Sequence, residues 1–488
     1  MNFRLVSKIS NMTLLIIAAA MVPAFFTALY YHERDIAIGL AVSSAVTAAI
    51  SGAFLMAIKP ANTTLKPREG YLVVSLCWVL SSCFGALPFL IGGYTSSPID
   101  AFFESCASIT TTGATVSVLE LMPRGLLMWK AMMHWLGGMG ILVFAISILP
   151  AVGVSGNNLF NAESSNIQQT KLSGRMSDSA RTLYTMYFGF TISEFLLLFF
   201  SKMTTFDAII TTLGSVSTSG LFAHSSGLMS YNSIYIELVT AFFTIAVSVK
   251  FSLYQYLLRR EYGKFFDPEV KAFLKILFIA FAFVTLDLYL HGSYGSIFET
   301  MRYALFQVIA FGTTTGYGIA DYTLWPAFSR FILFLLFFVG GCAASTSGSI
   351  KVVRVFIAFK LVVRNIYQRL HPNAVVAVKV GNKAIPAKTV SSVTSFIFMF
   401  FLVFFIGTLI LSLQNLDLKT TVSSAISMLS GTGIAFGSIG ATGNFSVFCG
   451  PLRLVLCALM LLGRLELFTI IMIFTPSFWN PTRSQNVA

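Results

Sequence analysis

Long apolar segments without charged side chains dominate the chain. Five of them contain no Asp, Glu, Lys or Arg over the length of about 20 residues that crosses a bilayer. They cover residues 12–31, 36–57, 71–94, 131–150 and 390–413. This pattern predicts transmembrane helices. The first two segments lie almost next to one another behind the basic residues Arg4 and Lys8, and they predict a retained helical hairpin rather than a cleaved signal peptide.

A second pattern alternates with the long segments beyond residue 70. A short amphipathic stretch, too brief to cross a membrane, leads each time into a loop of Gly, Thr and Ser. The four loops are Thr110-Thr111-Thr112-Gly113, Ser217-Thr218-Ser219-Gly220, Thr313-Thr314-Thr315-Gly316 and Ser430-Gly431-Thr432-Gly433. Recurrence of this kind indicates an internal repeat, so we expect four copies of one helix, loop, helix unit.

The short stretches are predicted to be re-entrant helices. Asp100 and Asp207 occupy matching places in the first two copies, where a carboxylate is a good helix N-cap. In the third copy, Ser296 and Glu299 have the spacing of a capping box. Non-helical backbone at membrane depth is tolerated only where protein buries it or where it lines a water-filled cavity. Four such loops therefore predict one shared cavity.

The residue types of the four loops suit a dehydrated cation. A cation that leaves water needs a ring of carbonyl oxygens, aimed by a backbone that glycine adopts freely, while Thr and Ser add hydroxyls with little bulk. A single loop of this composition is equally compatible with a turn between helices. Four loops in register favour an ion filter.

Composition agrees with a membrane protein, since 56% of the 488 residues are hydrophobic and 10% are charged, against about a quarter in soluble domains. A net charge of +13 is also compatible with nucleic-acid binding, so the positions of the basic residues decide. If the N-terminus is cytoplasmic, 23 of the 32 Lys and Arg fall in segments on that side. Those segments are 1–10, 59–70, 151–181, 250–275, 351–388 and 477–488. This positive-inside bias explains the charge, and we expect no nucleic-acid partner.

Catalytic motifs are not found in the sequence. The chain has no Walker loop, no His-Glu-x-x-His and no Gly-x-Ser-x-Gly, and its five His are scattered. Its six Cys lack the paired spacing of zinc or redox sites. We therefore expect neither an enzyme nor a covalent cofactor.

The four loops, the N-terminal hairpin and the stretch His134-Trp135-Leu136-Gly137-Gly138-Met139-Gly140 resemble the Trk, Ktr and HKT superfamily of potassium transporters. The stretch and the hairpin are similar to its bacterial TrkH and TrkG branch. The resemblance implies an all-α polytopic membrane protein in which four pseudo-repeated helix, pore loop, helix units surround one central pore. About ten transmembrane helices and four pore helices are then expected.

The same resemblance implies a function and partners. K+ would enter through the bacterial cytoplasmic (inner) membrane, held in a selectivity filter made by all the residues of the four loops. The expected assembly is a homodimer with a cytosolic TrkA-type regulatory subunit, which binds the nucleotide in place of this chain. Membrane lipid is the remaining expected partner.

The chain accordingly divides into five predicted domains, the hairpin and four pore repeats. They are residues 1–70, 71–181, 182–270, 271–388 and 389–488. The last helix of the third repeat is predicted to be interrupted by Gly340-Gly341-Cys342-Ala343-Ala344-Ser345-Thr346-Ser347-Gly348-Ser349. Glycine lowers helix propensity by about 1 kcal/mol relative to Ala, so this run favours a loop, although a kinked helix is the alternative.

This interrupting segment has an expected role. The resemblance implies that it obstructs the pore below the filter and acts as a gate. We also expect it to move easily, because its small residues leave it few packing contacts.

Arg464 is predicted to lie within the last span, beyond Pro451. An arginine at the middle of a bilayer costs about 2.5–3.5 kcal/mol on insertion scales, so it must face water or a partner. Facing the pore, its charge would repel a passing cation and form part of the gate. The alternative is a structural salt bridge with Glu194, Glu237 or Asp287.

Two alternatives to potassium uptake remain open from the sequence. One is sodium conduction or sodium and potassium symport by the same fold, and the other is a membrane scaffold or sensor with a closed pore. In the plant HKT branch a Ser at the first filter glycine accompanies sodium preference, so Gly113 implies potassium. Lys250 departs from the family pattern, which has small residues and an Asn before the Phe in this segment. The family pattern therefore does not predict the structure at the inner end of the second copy.

Overall fold

The computed structural model describes residues 1–58, 65–140, 176–374, 376–381, 383–441 and 444–480. Helices make up nearly all of its regular structure. In chain order they are α1 Phe3–Tyr30, α2 Arg34–Ala57, α3 Pro67–Gly85, α4 Leu87–Ile91, α5 Pro98–Ile109, α6 Arg124–Gly138, α7 Met176–Phe199, α8 Thr205–Val216, α9 Ile234–Val247, α10 Tyr254–Leu258, α11 Tyr262–Phe265, α12 Pro268–Leu290, α13 Ile297–Gly312, α14 Ala327–Leu336, α15 Val352–Leu370, α16 Ala387–Leu411, α17 Leu418–Ser430, α18 Gly450–Arg464, α19 Phe468–Ile471 and α20 Pro476–Trp479. Two short strands, β1 Lys379–Val380 and β2 Lys383–Ala384, form an antiparallel pair.

Five helices of the described chain are long and apolar enough to cross a membrane, and the count rises to seven if each of two bent pairs is one span. The predicted segments 12–31, 36–57, 71–94 and 390–413 coincide with α1, α2, α3 with α4, and α16. Of segment 131–150, the first part lies in α6, and residues 141–150 lie outside the described residues, as do the basic residues of 59–64 and 151–175.

The N-terminal hairpin is tied to the rest of the molecule at both ends. Helix α1 packs against α2, α3 and α6. At one end the backbone N–H of Asn2 donates to Glu69 at 2.6 Å. At the other, the carboxylate of Glu33 accepts from the N–H groups of Arg124 and Gly125, at 2.7 and 2.8 Å, and so satisfies the free donors at the start of α6.

Four units of one design follow the hairpin, as the repeat pattern predicts. Each contains a long first helix, a short pore helix, a Gly, Thr and Ser loop, a 3₁₀ turn and a second helix. The pore helices are α5, α8, α13 and α17, and the 3₁₀ turns are Leu119–Leu121, Gly227–Tyr231, Tyr322–Leu324 and Phe445–Val447. The first helices begin at Pro67, Met176, Pro268 and Ala387, so the predicted repeat boundaries fall a few residues inside them.

The N-caps of the four pore helices correct one prediction. The capping side chains accept hydrogen bonds of 3.1–3.3 Å from the backbone N–H three residues further on, and they are Ser97, Thr204, Ser296 and Asp417. Ser296 is therefore a cap as predicted, whereas Asp100 and Asp207 are not. Their carboxylates bond to Arg453 and Tyr231, because Ser97 and Thr204 stand nearer the turn that starts each helix.

The second helices of all four units stop beneath the loops. They end at Gly138, Val247, Leu336 and Arg464. Beyond the break the chain bends by 92° in the second unit and by 107° in the fourth. The sequence predicts a break only in the third unit. In the fourth unit the chain reverses at Glu466 and Leu467, which have positive φ angles of 54° and 59°. Glu and Leu rarely adopt positive φ, so these residue types do not predict the reversal.

Candidate functional site

The backbone of the four loops alternates between right-handed and left-handed conformations. The first residue is right-handed, with φ of −77° at Thr110 and −92° at Thr313. The second residue is left-handed in every loop, and so is the final glycine, with φ between +67° and +79°. Such alternation turns successive N–H groups to one side of the chain, which leaves the carbonyl groups on the other.

The N–H groups point toward the pore helices. The N–H groups of Thr112 and Gly113 both donate to the carbonyl oxygen of Ala107, at 2.9 and 3.4 Å. The same bond joins Thr315 to Ala310 at 2.9 Å. Ser219 and Thr432 repeat it with Gly214 and Ser427. With their N–H groups fixed to the helix ends, the loops direct their carbonyl oxygens away from the helices.

The hydroxyl groups of the loops also bond to protein. In each loop the first and third side chains contact one another at 2.7–3.0 Å, and the first donates to a carbonyl of the last helical turn. Apart from the carbonyl of Ser217, which accepts from the hydroxyl of Thr218 at 2.7 Å, the main-chain carbonyl groups of the described loops are therefore the oxygens that remain for a cation. The hydroxyls hold each loop in shape.

The four loops form one closed ring. A Cβ atom added to Gly113 would overlap the carbonyl oxygen of Ser219 in the next unit. The same close approach occurs between Gly220 and Thr315, between Gly316 and Thr432, and, closing the circle, between Gly433 and Thr112. Each unit thus touches the next in chain order. The C-terminal ends of four pore helices, which carry partial negative charge, point at this ring.

A buried ion pair supports the ring in the first unit. Glu104 and Lys130 pair with side-chain exposures of 1% and 0%. The same carboxylate accepts from Thr115, Val116 and Ser117, at 2.7–3.2 Å, and so holds the chain that follows the first loop. The sequence interpretation missed this pair. Two charges of opposite sign within otherwise apolar stretches were the available signal.

The segment 337–351 lies directly beneath the ring. The N–H of Gly348 donates to the hydroxyl of Thr314 at 2.7 Å, and a Cβ on Gly348 would overlap the carbonyl oxygen of Ser430. The neck of the loop is closed by two backbone bonds of 3.0 and 3.1 Å, which join Gly340 to Ile350 and Val352 to Gly341. This loop therefore contacts the ring from one side, at the third and fourth loops.

The expectation that this loop has few contacts is wrong. Cys342 and Thr346 donate from their backbone N–H to Ser248 and Val247, at 2.9 and 3.4 Å, and the hydroxyls of Ser347 and Ser248 bond at 2.8 Å. Small side chains do not loosen the loop, because they let its backbone approach the broken second unit closely enough to bond.

Arg464 joins the loop to the first unit. Its guanidinium donates to the carbonyl oxygen of Thr346 at 3.0 Å, to that of Gly138 at 2.8 Å, and to that of Gly137. The carboxylates considered as its partners bond elsewhere. Glu194 accepts from Ser215, Glu237 pairs with Arg302, and Asp287 accepts from Ser329.

Lys250 has a structural explanation. Its ammonium group pairs with Glu269 and, at 3.2 Å, with Asp267. The other oxygen of Glu269 accepts from the backbone N–H of Ala343 at 2.7 Å. Lys250 therefore neutralises a carboxylate that anchors the loop beneath the ring, at the place before Phe251 where the family pattern has an Asn.

Comparisons with known proteins agree with this geometry. The family described as TrkH, cation transport protein, matches residues 38–480. The Trk system potassium uptake protein TrkH of Escherichia coli K12 is 33% identical over 98% of this chain and 100% of its own length, and TrkG of the same strain is 30% identical over 98% and 99%. The crystal structure of the potassium transporter TrkH from Vibrio parahaemolyticus superposes with a TM-score of 0.88 at 31% identity, covering 98% of this chain and 100% of that one.

Proposed function

The chain belongs to the TrkH family of cation transport proteins, a family of multi-pass membrane proteins, and we propose that it takes up potassium across the cytoplasmic membrane with its N-terminus in the cytoplasm. The observation that carries this proposal is the closed ring of four loops. In the described chain the loop carbonyl oxygens make no hydrogen bonds to the pore helices, whereas the N–H of the third residue and the hydroxyl of the first residue of every loop donate to carbonyl oxygens of those helices.

The filter in this proposal consists of all four loops. Carbonyl oxygens from the ring replace the water around K+, and the negative ends of the pore helices lower the energy of the cation further. In this proposal K+ is bound by residues 110–113, 217–220, 313–316 and 430–433. Glycine at the last place of every loop lets adjacent units approach to van der Waals contact, which fixes the ring diameter.

The gate in this proposal consists of the loop from Gly340 to Ser349 together with Arg464. The loop crosses the space under the filter, and Arg464 adds a fixed positive charge at the same level. A cation that leaves the filter meets both. Opening requires the loop to exchange its bonds to the second unit and to Arg464 for others.

The regulation in this proposal comes from the cytoplasm. Helix α15 follows the loop directly and carries Lys360, Arg364 and Arg369. A nucleotide-binding regulatory subunit of the TrkA type would bind this helix. Movement of the subunit would then move the helix and, through it, the loop. The transporter would work as a homodimer, with the nucleotide on the regulatory subunit and K+ as the ion carried by this chain.

Growth and ion competition test the function. A bacterial host that lacks potassium uptake systems should grow at low potassium when it carries this chain with a Trk regulatory subunit. In reconstituted vesicles an excess of sodium should leave potassium flux nearly unchanged. Sodium flux that exceeds potassium flux would instead support the sodium-conducting alternative, and the absence of any cation flux would support a scaffold.

Replacing Arg464 with Ala tests the gate charge. We expect potassium flux to rise a few-fold, because the substitution removes both a positive charge and a hydrogen bond that holds Thr346. Flux in vesicles and the melting temperature should be measured together. Arg259→Ala, which changes an exposed arginine just after α10, is the control. A large fall in melting temperature with unaltered flux per folded molecule would assign Arg464 a structural role alone.

A further inference from the structure

Neighbouring units meet near the N-terminal ends of the pore helices, where the second helix of one unit approaches the pore helix of the next. The second helices of the second, third and fourth units carry a charged residue at the same place, three residues after the first. These residues are Glu237, Arg330 and Arg453. Their equivalence allows the three junctions to be compared directly.

Two of these junctions are closed by an ion pair. Glu237 accepts from Arg302 on α13 through Nε at 2.7 Å and through Nη2 at 2.5 Å. Arg453 pairs with Asp100 on α5. In both, the charge on the second helix is matched by the opposite charge on the next pore helix.

The junction between the third and fourth units departs from this pattern. Arg330 stands in the place of Glu237, but the residue near the start of the next pore helix is Lys419, so two cations line one cleft. Within the described part of the chain, neither takes part in an ion pair. The buried Nε of Arg330 has no hydrogen-bond partner there, and one Nη donates weakly to Thr323 at 3.4 Å.

Among the described residues, the nearby carboxylates form no ion pair with Arg330 or Lys419. Asp321 accepts from Thr323, and Asp417 accepts from Thr420, so both carboxylates complete turns of their own segments. Asp417 interacts electrostatically with Lys419 without an ion pair between them, so both cations of the cleft can still donate charge-assisted hydrogen bonds to an anion.

The cleft beside these cations is apolar and opens outward. Its volume is about 480 Å³, and its apolar lining consists of Ala327, Phe331, Phe334, Leu418, Val422 and Phe436. Phe331 and Leu418 are exposed at 58% and 75%, so the cleft faces the space that lipid chains fill around a membrane protein. A cleft of similar size, about 560 Å³, lies at the second junction, but there the Arg302–Glu237 pair neutralises the charge.

We propose that this cleft is a binding site for an anionic phospholipid from the leaflet on the filter side. Its phosphate lies between Arg330 and Lys419 and supplies the negative charge that Glu237 and Asp100 supply at the other two junctions. One acyl chain occupies the apolar cleft against Phe331 and Phe334. The lipid thus joins the fourth pore helix to the third unit, as the ion pairs do elsewhere.

The variant Lys419→Glu tests whether this junction lacks a negative charge. It gives Arg330 a carboxylate on the next pore helix, the arrangement in which Arg453 pairs with Asp100. We expect the variant, purified in detergent without lipid, to melt at a higher temperature than the parent. Phosphatidylglycerol should raise the melting temperature of the parent and remain bound in native mass spectra, whereas its affinity for the variant should fall at least about tenfold.

Controls identify the ligand and the site. Phosphatidylcholine and inorganic phosphate should not reproduce the effect on the parent, and Lys202→Glu, another exposed lysine on the filter side, should leave phosphatidylglycerol affinity unchanged. Arg330→Gln should weaken binding as Lys419→Glu does. The proposal fails if Lys419→Glu binds phosphatidylglycerol as tightly as the parent, if inorganic phosphate is as effective, or if Lys419→Glu changes the oligomeric state, which would make the cleft a contact with a second copy.

Discussion

Replacing Gly316 with Ser is expected to lower the preference for potassium over sodium by about tenfold or more, a change worth about 1.4 kcal/mol. Gly316 has a φ of +76°, and a Cβ there would overlap the carbonyl oxygen of Thr432. The added atom must push the fourth loop away or rotate its own peptide, and either movement takes a carbonyl oxygen off the axis. A left-handed non-glycine residue also costs about 1–3 kcal/mol when strained.

Gly318→Ser is the matched control for this substitution. Gly318 lies two residues away, and a Cβ at that position meets no described atom within 4 Å. Flux of potassium and of sodium should be measured in vesicles that contain equal amounts of folded protein. If Gly316→Ser is folded and its selectivity equals that of the parent, the ring of four loops is not the filter.

Removing Ala344 to Ser347 is expected to raise basal potassium flux at least about tenfold and to weaken its dependence on the regulatory subunit. The deletion removes the bonds of Thr346 to Val247 and to Arg464. The backbone bonds that close the neck, Gly340 to Ile350 and Val352 to Gly341, lie outside the deleted residues. The shortened loop therefore keeps its two ends in place, while four fewer residues are left to hold Gly348 against the ring.

Ser345→Ala is the control for the deletion, because the Ser345 hydroxyl bonds within the loop, to Cys342 at 2.6 Å. Its flux and regulation should match those of the parent. Flux in vesicles, with and without the regulatory subunit, distinguishes the variants. A folded deletion variant that conducts and responds as the parent does would show that the loop is not the gate.

Much of the architecture could be predicted because membranes impose simple rules. The length of the apolar segments predicts the transmembrane helices, and the recurrence of Gly, Thr and Ser predicts the four loops. The sequence does not show whether Ser97 or Asp100 caps the first pore helix, since both are good N-cap residues. The cap is the residue just before the helix begins, and the helix begins at Pro98. Ser296 had no such competitor in its segment, and the prediction for it is confirmed.

Contacts between distant parts of the chain could not be predicted. Glu104 and Lys130 belong to different helices, and no local pattern says that their charges meet. The expected looseness of the loop under the filter failed for a similar reason, since its bonds go to Val247 and Ser248, about a hundred residues earlier. Local composition described the loop, whereas its stability depends on the broken helix beside it.

In the described part of the chain, a loop that reaches the ring from beneath is seen in the third unit, from Gly340 to Ser349, and this asymmetry has a consequence for how such a protein can be built. In a tetramer of identical subunits, any insertion beneath the ring would appear four times and the copies would collide at the axis. A single polypeptide removes that constraint, because each quarter can vary separately. Covalent fusion of the units thus allows a ring of near fourfold symmetry to carry a loop that does not share that symmetry.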